Sequence, residues 1–290
     1  MADKKEVQRL EDIAYEVRSK LLYLCGSYEG AVHIGGDLSS TDLMVGLFHH
    51  GLNVYPKDIK NPNRDRFVLS KGHSAVLMYI TMALRGFWDY DEILRTYGQV
   101  DSSYGMHPCR VHLPALECSS GSLGQGLAMA VGMAISARNR KEKYRVVCLL
   151  GDGETAEGEV WEAATAAASQ KLGNLVALVD RNRQFMTSYS EELVQMEPYP
   201  SKWSAFGWNV VEINGHDMNM IVDALDNLPA TDSIKPTVII ANTIKGKGVS
   251  FMEHNIGWHA GKLGKADYKR AMESLETNYP AEKERSRQNG

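Results

Sequence analysis

A glycine turn flanked by acidic residues is the stretch of this sequence best equipped for chemistry. Residues 146–184, VVCLLGDGETAEGEVWEAATAAASQKLGNLVALVDRNRQ, have the pattern of a strand, a turn, a helix and a second strand. Because such crossovers are almost always right-handed, the two strand exits come together and Asp152 is expected to meet Asn182. A carboxylate and an amide oxygen suit Mg²⁺, which takes further oxygens from phosphate and water. Gly153 and the amides that open the next helix would accommodate that phosphate.

The same residues also match the motif of a second kind of binding site. Residues 151–156, GDGETA, match the G-x-G-x-x-A pattern of dinucleotide-binding folds, in which Asp180 at the end of the next strand would bind a ribose. The turn begins late for a fold that usually opens with this fingerprint. Four acidic residues would also repel a pyrophosphate that no cation bridges. They are Asp152, Glu154, Glu157 and Glu159.

From residue 66 onward, short apolar runs typical of strands alternate with helical patterns. The strand-type runs cover residues 67–69, 145–150, 175–180, 208–213 and 237–242. The helical patterns cover about residues 74–84, 123–140, 156–172 and 217–228. Nearly uniform apolar strands between helices predict an α/β fold with a doubly wound parallel sheet and helices on both faces.

Ligands of an open parallel sheet bind beyond the carboxyl ends of its strands. If the five predicted strands are parallel neighbours, polar segments that follow them share one edge. These segments are Lys71-Gly72-His73, Gly151-Asp152-Gly153, Asp180-Arg181-Asn182, Asn214-Gly215-His216 and the loop 245–262 with His254 and His259. An ordinary strand-to-helix turn explains Asn214-Gly215-His216 equally well.

The remaining segments are predicted to be scaffold. An apolar stripe from Val7 to Leu24 predicts a first helix that stops near Gly26, within a helical segment over residues 4–50. Ser39, Ser40 and Thr41 are candidate caps of a second helix over residues 42–50. We expect one domain over residues 1–272, followed by a polar, frayed tail over residues 273–290.

Composition excludes several classes of function. The chain has 290 residues, 43% of them hydrophobic, and a net charge of −4 without a basic face, so we expect neither nucleic acid nor membrane as a partner. No apolar run approaches the roughly 18 residues of a membrane span, and the amino terminus lacks a signal-peptide pattern. The four cysteines have no metal-ligand spacing, which is typical of unpaired thiols in a reducing, cytoplasmic compartment. They are Cys25, Cys109, Cys118 and Cys148.

Taken together, these motifs resemble the amino-terminal half of transketolases, which binds thiamine diphosphate. GDG followed by an asparagine 30 positions after its aspartate resembles the motif for this cofactor and magnesium, and the similarity covers nearly the whole chain. The matching segments are VHIGG at 32, DRFVLSKGHSAVLMY at 65, GSLGQGLAMAVGMA at 121, GDGETAEGEVWEAA at 151, NGHD at 214 and TIKGKGVSFMEHNIGWHAG at 243.

The resemblance implies a set of cofactor and metal ligands. Asp152, Asn182 and the backbone carbonyl of Gln184 would hold Mg²⁺, or Ca²⁺ or Mn²⁺ in its place, and Gly153 would contact the diphosphate. Lys245, in a glycine-rich loop, is a further candidate phosphate ligand. The other implied cofactor contacts are Gly121, Ser122, Leu123 and Glu157, the last of which would join Glu162 in an acidic network at a subunit interface.

Four histidines match positions that line the substrate channel of transketolases. His33, His73, His107 and His259 would bind sugar hydroxyls and transfer protons, with His73 and His259 also near the diphosphate. Imidazole suits this role because its unperturbed pKa lies near neutrality. The remaining histidines are expected to be structural or solvated. They are His49, His50, His112, His216 and His254.

The reaction implied by the resemblance moves a two-carbon ketol unit from a ketose to an aldose, with the cofactor carrying the difficult step. In the family, an essential glutamate and the sugar-phosphate ligands lie in a pyrimidine-binding domain that we do not find in these residues. We therefore expect the amino-terminal subunit of a split transketolase, in a heterotetramer of two plus two with a separately encoded carboxy-terminal subunit. Its substrates would be sugars or sugar phosphates, among them branched or sulfonated ones.

Three alternatives to this function remain. The chain could be one subunit of a 2-oxo acid dehydrogenase, a nicotinamide oxidoreductase or a non-catalytic subunit.

Overall fold

A computed structural model describes residues 2–289, and its centre is a five-stranded sheet. The strands are β1 (Arg66–Leu69), β2 (Val146–Gly151), β3 (Leu175–Arg181), β4 (Asn209–Asn214) and β5 (Thr237–Asn242). They lie in the order β1-β2-β3-β5-β4, and every neighbouring pair is parallel. The predicted parallel sheet is confirmed, and the predicted strands differ from these by at most one residue at either end.

Helices precede, connect and follow the strands. The α-helices are α1 (Lys4–Ser27), α2 (Ile34–Gly46), α3 (Ala75–Leu84), α4 (Tyr90–Thr96), α5 (Gln125–Asn139), α6 (Gly158–Ser169), α7 (Ser190–Leu193), α8 (Tyr199–Ala205), α9 (Met218–Asp226), α10 (Lys265–Asn278) and α11 (Pro280–Asn289). A π-helical turn covers Leu47–Gly51, and 3₁₀ turns cover Pro56–Asp58, Gly72–Ser74, Gly153–Ala156 and Ile256–Trp258. None of the helices within residues 2–289 has the length and apolar character needed to cross a bilayer.

Alternate residues of the buried strands pack into two separate cores, one on each face of the sheet. Leu149 and Leu178 contribute to a core built with α1, α2, α3 and α9. Leu150 and Val179 contribute to a core built with α5, α6 and α8. Because side chains of a strand point to opposite faces in turn, strands buried on both sides must be apolar throughout. The doubly wound fold is confirmed.

The second helix begins earlier than its sequence pattern predicts. Helix α2 begins at Ile34, so Ser39, Ser40 and Thr41 lie inside it and do not cap it. The hydroxyls of Ser39 and Ser40 instead lie close to the Gly36 carbonyl and to a buried carboxylate described below, and Thr41 donates to the carbonyl of Asp37. Gly35 and Gly36 hide the helix start because glycine disfavours helix interiors. Here burial of the whole helix overrides that preference.

The structure also differs from the predicted frayed tail. Helix α10 crosses the predicted boundary at residue 272, and α11 continues to Asn289. Ala271 and Leu275 of α10 are fully buried in the same core as α1. The polar composition of this segment conceals the two buried positions, because a single narrow apolar face is enough to dock a helix.

Two glycines of α5 test how closely this helix must approach the sheet. A Cβ on Gly126 would lie 2.6 Å from the Ser70 Cα, whereas one on Gly132 would meet nothing within 4 Å. We expect Gly126→Ala to lower the free energy of unfolding by about 1–3 kcal/mol, the usual cost of overpacking. Gly132→Ala should raise it by up to about 1 kcal/mol, because alanine favours the helix. Urea denaturation measures both values, and equal effects of the two substitutions would contradict the close approach.

Candidate functional site

The exits of β2 and β3 meet, as the crossover geometry predicts. Gly151 pairs with Asp180, and the Asp152 amide donates to the Asp180 carbonyl at 3.2 Å. The Asp152 carboxylate accepts hydrogen bonds from the amides of Gly153 at 2.9 Å and Arg183 at 2.7 Å. In one respect the turn differs from prediction. A 3₁₀ turn follows Asp152, and α6 begins only at Gly158, so the amides near Asp152 do not open an α-helix.

A cavity of about 420 Å³ lies at this edge of the sheet. It is lined by the predicted site residues His33, His73, His107, Gly121, Leu123, Asp152, Gly153, Glu157, Asn182, Gln184, Lys245 and His259. Lys71, Gly36, Glu154 and Met186 also line it. Ser122 and Glu162 are exposed and are not among the lining residues. The structure therefore brings together the predicted residues with the exception of these two.

The four predicted channel histidines form one cluster, although they come from four separate segments. The ring centre of His33 lies 5.2 Å from that of His73, 5.6 Å from that of His259 and 6.4 Å from that of His107. Burial, aided by the charge of Lys71, lowers the pKa of His73 to about 2. Burial likewise lowers the pKa of His259 to about 3 and also lowers that of His33. These three rings are neutral at physiological pH, so each offers one donor and one acceptor nitrogen.

Lys245 brings a positive charge into the same cavity. Its Nζ donates to the backbone carbonyls of Gln184 and Phe185, both at 3.2 Å, and the residue is only 3% exposed. Burial and the charge of Lys71 lower the pKa of Lys245 to about 8. A cation held in a mostly buried recess makes that recess favourable for an anion.

The oxygen atoms at the strand exits fit a hard divalent cation. Burial and the nearby charge of Asp180 raise the pKa of Asp152 to about 6. The surrounding groups therefore stabilise the ionised carboxylate poorly, and a bound cation would stabilise it. The Asn182 amide nitrogen donates to Asp180 at 3.0 Å, which identifies the other amide atom as the oxygen. With the Gln184 carbonyl these atoms supply three oxygens, and phosphate and water commonly complete a magnesium shell. Among the described residues, no group of three or more His, Cys, Asp or Glu could hold a metal ion by itself.

Asp180 is fully buried, and both oxygens of its carboxylate accept hydrogen bonds from other residues of the chain. Its Oδ2 accepts from the Ser39 hydroxyl at 2.7 Å, the Ser40 hydroxyl at 2.9 Å and the Lys71 ammonium at 2.7 Å. Asn182 donates to the same oxygen, and the hydroxyl of Thr243 donates to Oδ1. Burial opposes its ionisation, but Lys71 and these donors lower the pKa of Asp180 to about 2. No ribose could reach this carboxylate, so the structure contradicts the dinucleotide interpretation.

Three buried charged residues at or next to the cavity were not predicted to belong to the site. The ammonium group of Lys71 donates to the Gly36 carbonyl at 3.0 Å, the Ser40 hydroxyl at 2.8 Å and the Asp180 carboxylate at 2.7 Å. The Glu154 carboxylate accepts from the amides of Gly124 at 2.9 Å and Gly151 at 3.0 Å, and thus joins two backbone turns that border the cavity. Its place within GDGE is a signal that could have identified it.

Asp37 is the third of these residues and directly follows Gly36, which lines the cavity. It is fully buried, and neither oxygen of its carboxyl group forms a hydrogen bond of good geometry, although the Ser74 hydroxyl lies near enough to favour the ionised form. Burial raises the pKa of Asp37 to about 7, although Lys71 opposes the rise. No motif or spacing in the sequence marks this residue.

The other histidines lie outside the cavity, as predicted. His49 contacts the Thr81 carbonyl at 3.2 Å, and His50 lies 2.8 Å from Asp226. His216 contacts Asp42 at 2.8 Å, while His112 and His254 are exposed.

Known proteins identify the family to which this arrangement belongs. Residues 27–284 match the family described as transketolase, thiamine diphosphate binding domain. The chain belongs to this family. It is 38% identical over 275 residues to one subunit of the apulose-4-phosphate transketolase of Phocaeicola vulgatus, covering 95% of this chain and 92% of that protein. It is 36% identical to one subunit of the 6-deoxy-6-sulfo-D-fructose transketolase of a Clostridium species, covering 85% of this chain and 89% of that one.

A solved structure agrees with this assignment. The crystal structure of transketolase from Campylobacter jejuni superposes with a TM-score of 0.83 and 30% identity, over 94% of this chain and 43% of that chain. The chain therefore spans less than half the length of that transketolase and nearly the whole length of the relatives named as subunits.

Asp37 makes the stability of the chain depend on pH. Its pKa is about 7 in the folded state and 3.8 in the reference state, so between these values the folded protein keeps a proton that the unfolded chain has lost. Stability therefore falls as the pH rises through this window. We expect Asp37→Asn to raise the free energy of unfolding by about 2 kcal/mol at pH 8 and by much less near pH 4. Urea denaturation across this range measures the difference. The exposed Asp232→Asn is the control, and a gain independent of pH would contradict the assignment.

Proposed function

We propose that this chain is the amino-terminal subunit of a split transketolase. It would bind thiamine diphosphate and Mg²⁺ and transfer a two-carbon ketol unit from a ketose to an aldose. The observation that carries the proposal is the convergence of four histidines and the three oxygen donors on one cavity. Relatives that match over nearly their whole length are named as subunits of transketolases, which supports a second, separately encoded chain as the partner.

The cofactor would lie along the exits of the strands. Asp152, Asn182 and the carbonyl of Gln184 would hold Mg²⁺ or, in its place, Ca²⁺ or Mn²⁺, while Gly153 and Lys245 would face the diphosphate. When bound, thiamine diphosphate supplies the electron sink that cleavage of the carbon–carbon bond requires. We propose cofactor contacts for Gly121, Leu123 and Glu157, which line the cavity, and for Ser122, which does not line it in the chain by itself. Glu154 holds the amide of the adjacent Gly124.

The histidine cluster would act on the sugar. A neutral imidazole can accept a proton from a sugar hydroxyl and return it, and it can orient that hydroxyl by hydrogen bonding. His33 and His259, with ring centres 5.6 Å apart in an edge-to-face contact, lie side by side and are suited to bind neighbouring groups of one substrate. His73 and His107 extend the same surface. The roles of the four histidines are thus binding and proton transfer.

The names of the relatives indicate a substrate class. One relative is named for a sugar phosphate and another for a sulfonated sugar. We infer that the substrate is a sugar with an anionic group, and that its ligands lie on the partner subunit in a heterotetramer of two plus two. All four cysteines are free thiols, which supports a cytoplasmic location.

Loss of the Asp152 carboxylate should abolish metal-dependent binding of the cofactor. Calorimetric titration of thiamine diphosphate into the complex with the partner subunit, with Mg²⁺ or with chelator, measures this affinity. We expect Asp152→Ala to weaken binding by at least about 100-fold, because changes merely next to metal ligands already cost 10–100-fold. Asp232→Ala, at an exposed site, is the control. Undiminished affinity of Asp152→Ala would refute the metal site, and no binding by the wild-type complex would refute the proposed function.

His259 should matter more for the reaction than for the cofactor. We expect His259→Ala to reduce ketol transfer by at least about 100-fold, the lower range for loss of a general acid or base. The dissociation constant of thiamine diphosphate should change much less. Steady-state kinetics and calorimetry on the same preparation compare the two, with the exposed His112→Ala as control. Equal losses would place His259 mainly at the diphosphate, and intact ketol transfer would refute the proposed role of His259.

A further inference from the structure

Outside the cavity, a chain of buried polar side chains connects the first helix to the loop that carries Lys245. Arg18 of α1 is fully buried and donates to both carboxylate oxygens of Asp42 in α2, at 2.8 and 2.6 Å. His216, in the turn between β4 and α9, places Nδ1 2.8 Å from the same carboxylate. The Nε2 of His216 lies 2.8 Å from the backbone nitrogen of Ile244, the residue directly before Lys245.

This geometry determines which nitrogen of His216 carries the proton. A backbone N–H can only donate, so Nε2 must accept from Ile244 and the proton must lie on Nδ1, which donates to Asp42. Burial opposes ionisation of Asp42, yet the charge of Arg18 and the hydrogen bond from His216 hold its pKa well below its usual range. The ionised carboxylate thus selects the ring form that can accept from Ile244. If the proton lay on Nε2, the imidazole N–H and the Ile244 N–H, which are both donors, would face each other.

The backbone around Lys245 is fixed on both sides of that residue. The hydroxyl of Thr243 donates to Asp180, and the amide of Gly246 donates to the carbonyl of Gly35 in α2 at 3.0 Å. The turn that carries His216 is pressed against this segment, because a Cβ on Gly215 would lie 2.5 Å from the Thr243 Cγ2. His216 supplies the acceptor for the amide of Ile244, which directly precedes Lys245.

We propose that His216 is a positioning residue that holds the Lys245 ammonium group in the cofactor cavity through the Ile244 amide. The direction in which the chain leaves β5 decides whether Nζ reaches the carbonyls of Gln184 and Phe185, 3.2 Å away. The inference rests on the proposed function in so far as Lys245 meets the diphosphate. It assigns His216 a function that an ordinary turn residue would not have.

Two amide substitutions separate the two hydrogen bonds of His216. The glutamine of His216→Gln can place its oxygen where Nε2 lies and accept from Ile244. The asparagine of His216→Asn can still donate to Asp42 but leaves the Ile244 amide unpaired. His50→Asn is the matched control, because His50 also contacts a carboxylate, that of Asp226, and lies outside the cavity. Thermal unfolding of each variant in complex with the partner subunit shows whether the fold is retained.

The reactivity of the Lys245 amine gives a test that requires no cofactor. Acetic anhydride labelling followed by peptide mass spectrometry should show slow acetylation of the wild-type residue, which is 3% exposed. We expect His216→Asn to accelerate labelling about 10-fold or more, since loss of a buried hydrogen bond costs about 1–3 kcal/mol of local order. His216→Gln and His50→Asn should remain close to the wild type. Unchanged labelling of His216→Asn would overturn the inference whether or not the cofactor binds.

A double-mutant cycle then tests whether His216 acts through Lys245. We expect His216→Asn to weaken magnesium-dependent binding of thiamine diphosphate about 10-fold, which corresponds to about 1.4 kcal/mol. In a Lys245→Met background the same substitution should cause no further loss. Additive losses would overturn the inference and leave His216 with a structural role alone. Failure of the wild-type complex to bind the cofactor would instead refute the proposed function, and the labelling experiment would still decide the role of His216.

Discussion

The arrangement of the site depends on the buried carboxylate of Asp180. Its two oxygens accept from side chains at the exits of β1, β3 and β5 and from two serines within α2. A carboxylate in the interior without such partners costs several kcal/mol, so these segments must assemble together or not at all. Each segment also carries a site residue within a few positions. His73 follows Lys71, Lys245 follows Thr243, and α2 begins next to His33.

The two buried lysines give the cavity its electrostatic character. Lys71 is neutralised by Asp180 at 2.7 Å, whereas the ammonium group of Lys245 donates to two backbone carbonyls and, within residues 2–289, has no ion-pair partner. Burial and these cations together lower the pKa of His73 and His259. A bound diphosphate would offset part of the lysine charge and would raise the pKa of both histidines towards neutrality. The same cations therefore favour an anionic ligand and keep the imidazoles neutral until that ligand arrives.

Much of the fold follows from the sequence, because strands buried on both faces leave an unmistakable apolar pattern. The start of α2 does not, because Gly35 and Gly36 oppose helix locally and only packing of the completed fold compensates. In the site, the meeting of the exits that carry Asp152 and Asn182 follows from the strand–helix–strand pattern, which makes the two strands parallel neighbours. The strand exits place His73 and His259 at the same edge of the sheet, whereas His33 and His107 could be predicted only by resemblance to a family. Glu154 could have been identified from its place within GDGE, whereas Asp37 could not, because its environment is created by segments far away in the sequence.

The form of the cavity gives a physical reason for a second subunit. At its border Leu123 is 39% exposed and Met186 is 63% exposed, and the carboxylate of Glu157 lies beside them. A second chain that covered this border would remove these two apolar side chains from water. Electrostatic interactions of the kind assigned to Lys245 and the histidines strengthen when water is excluded. A covering subunit that also carries the ligands of the substrate's anionic group would therefore decide both when the site becomes competent and which sugar it accepts.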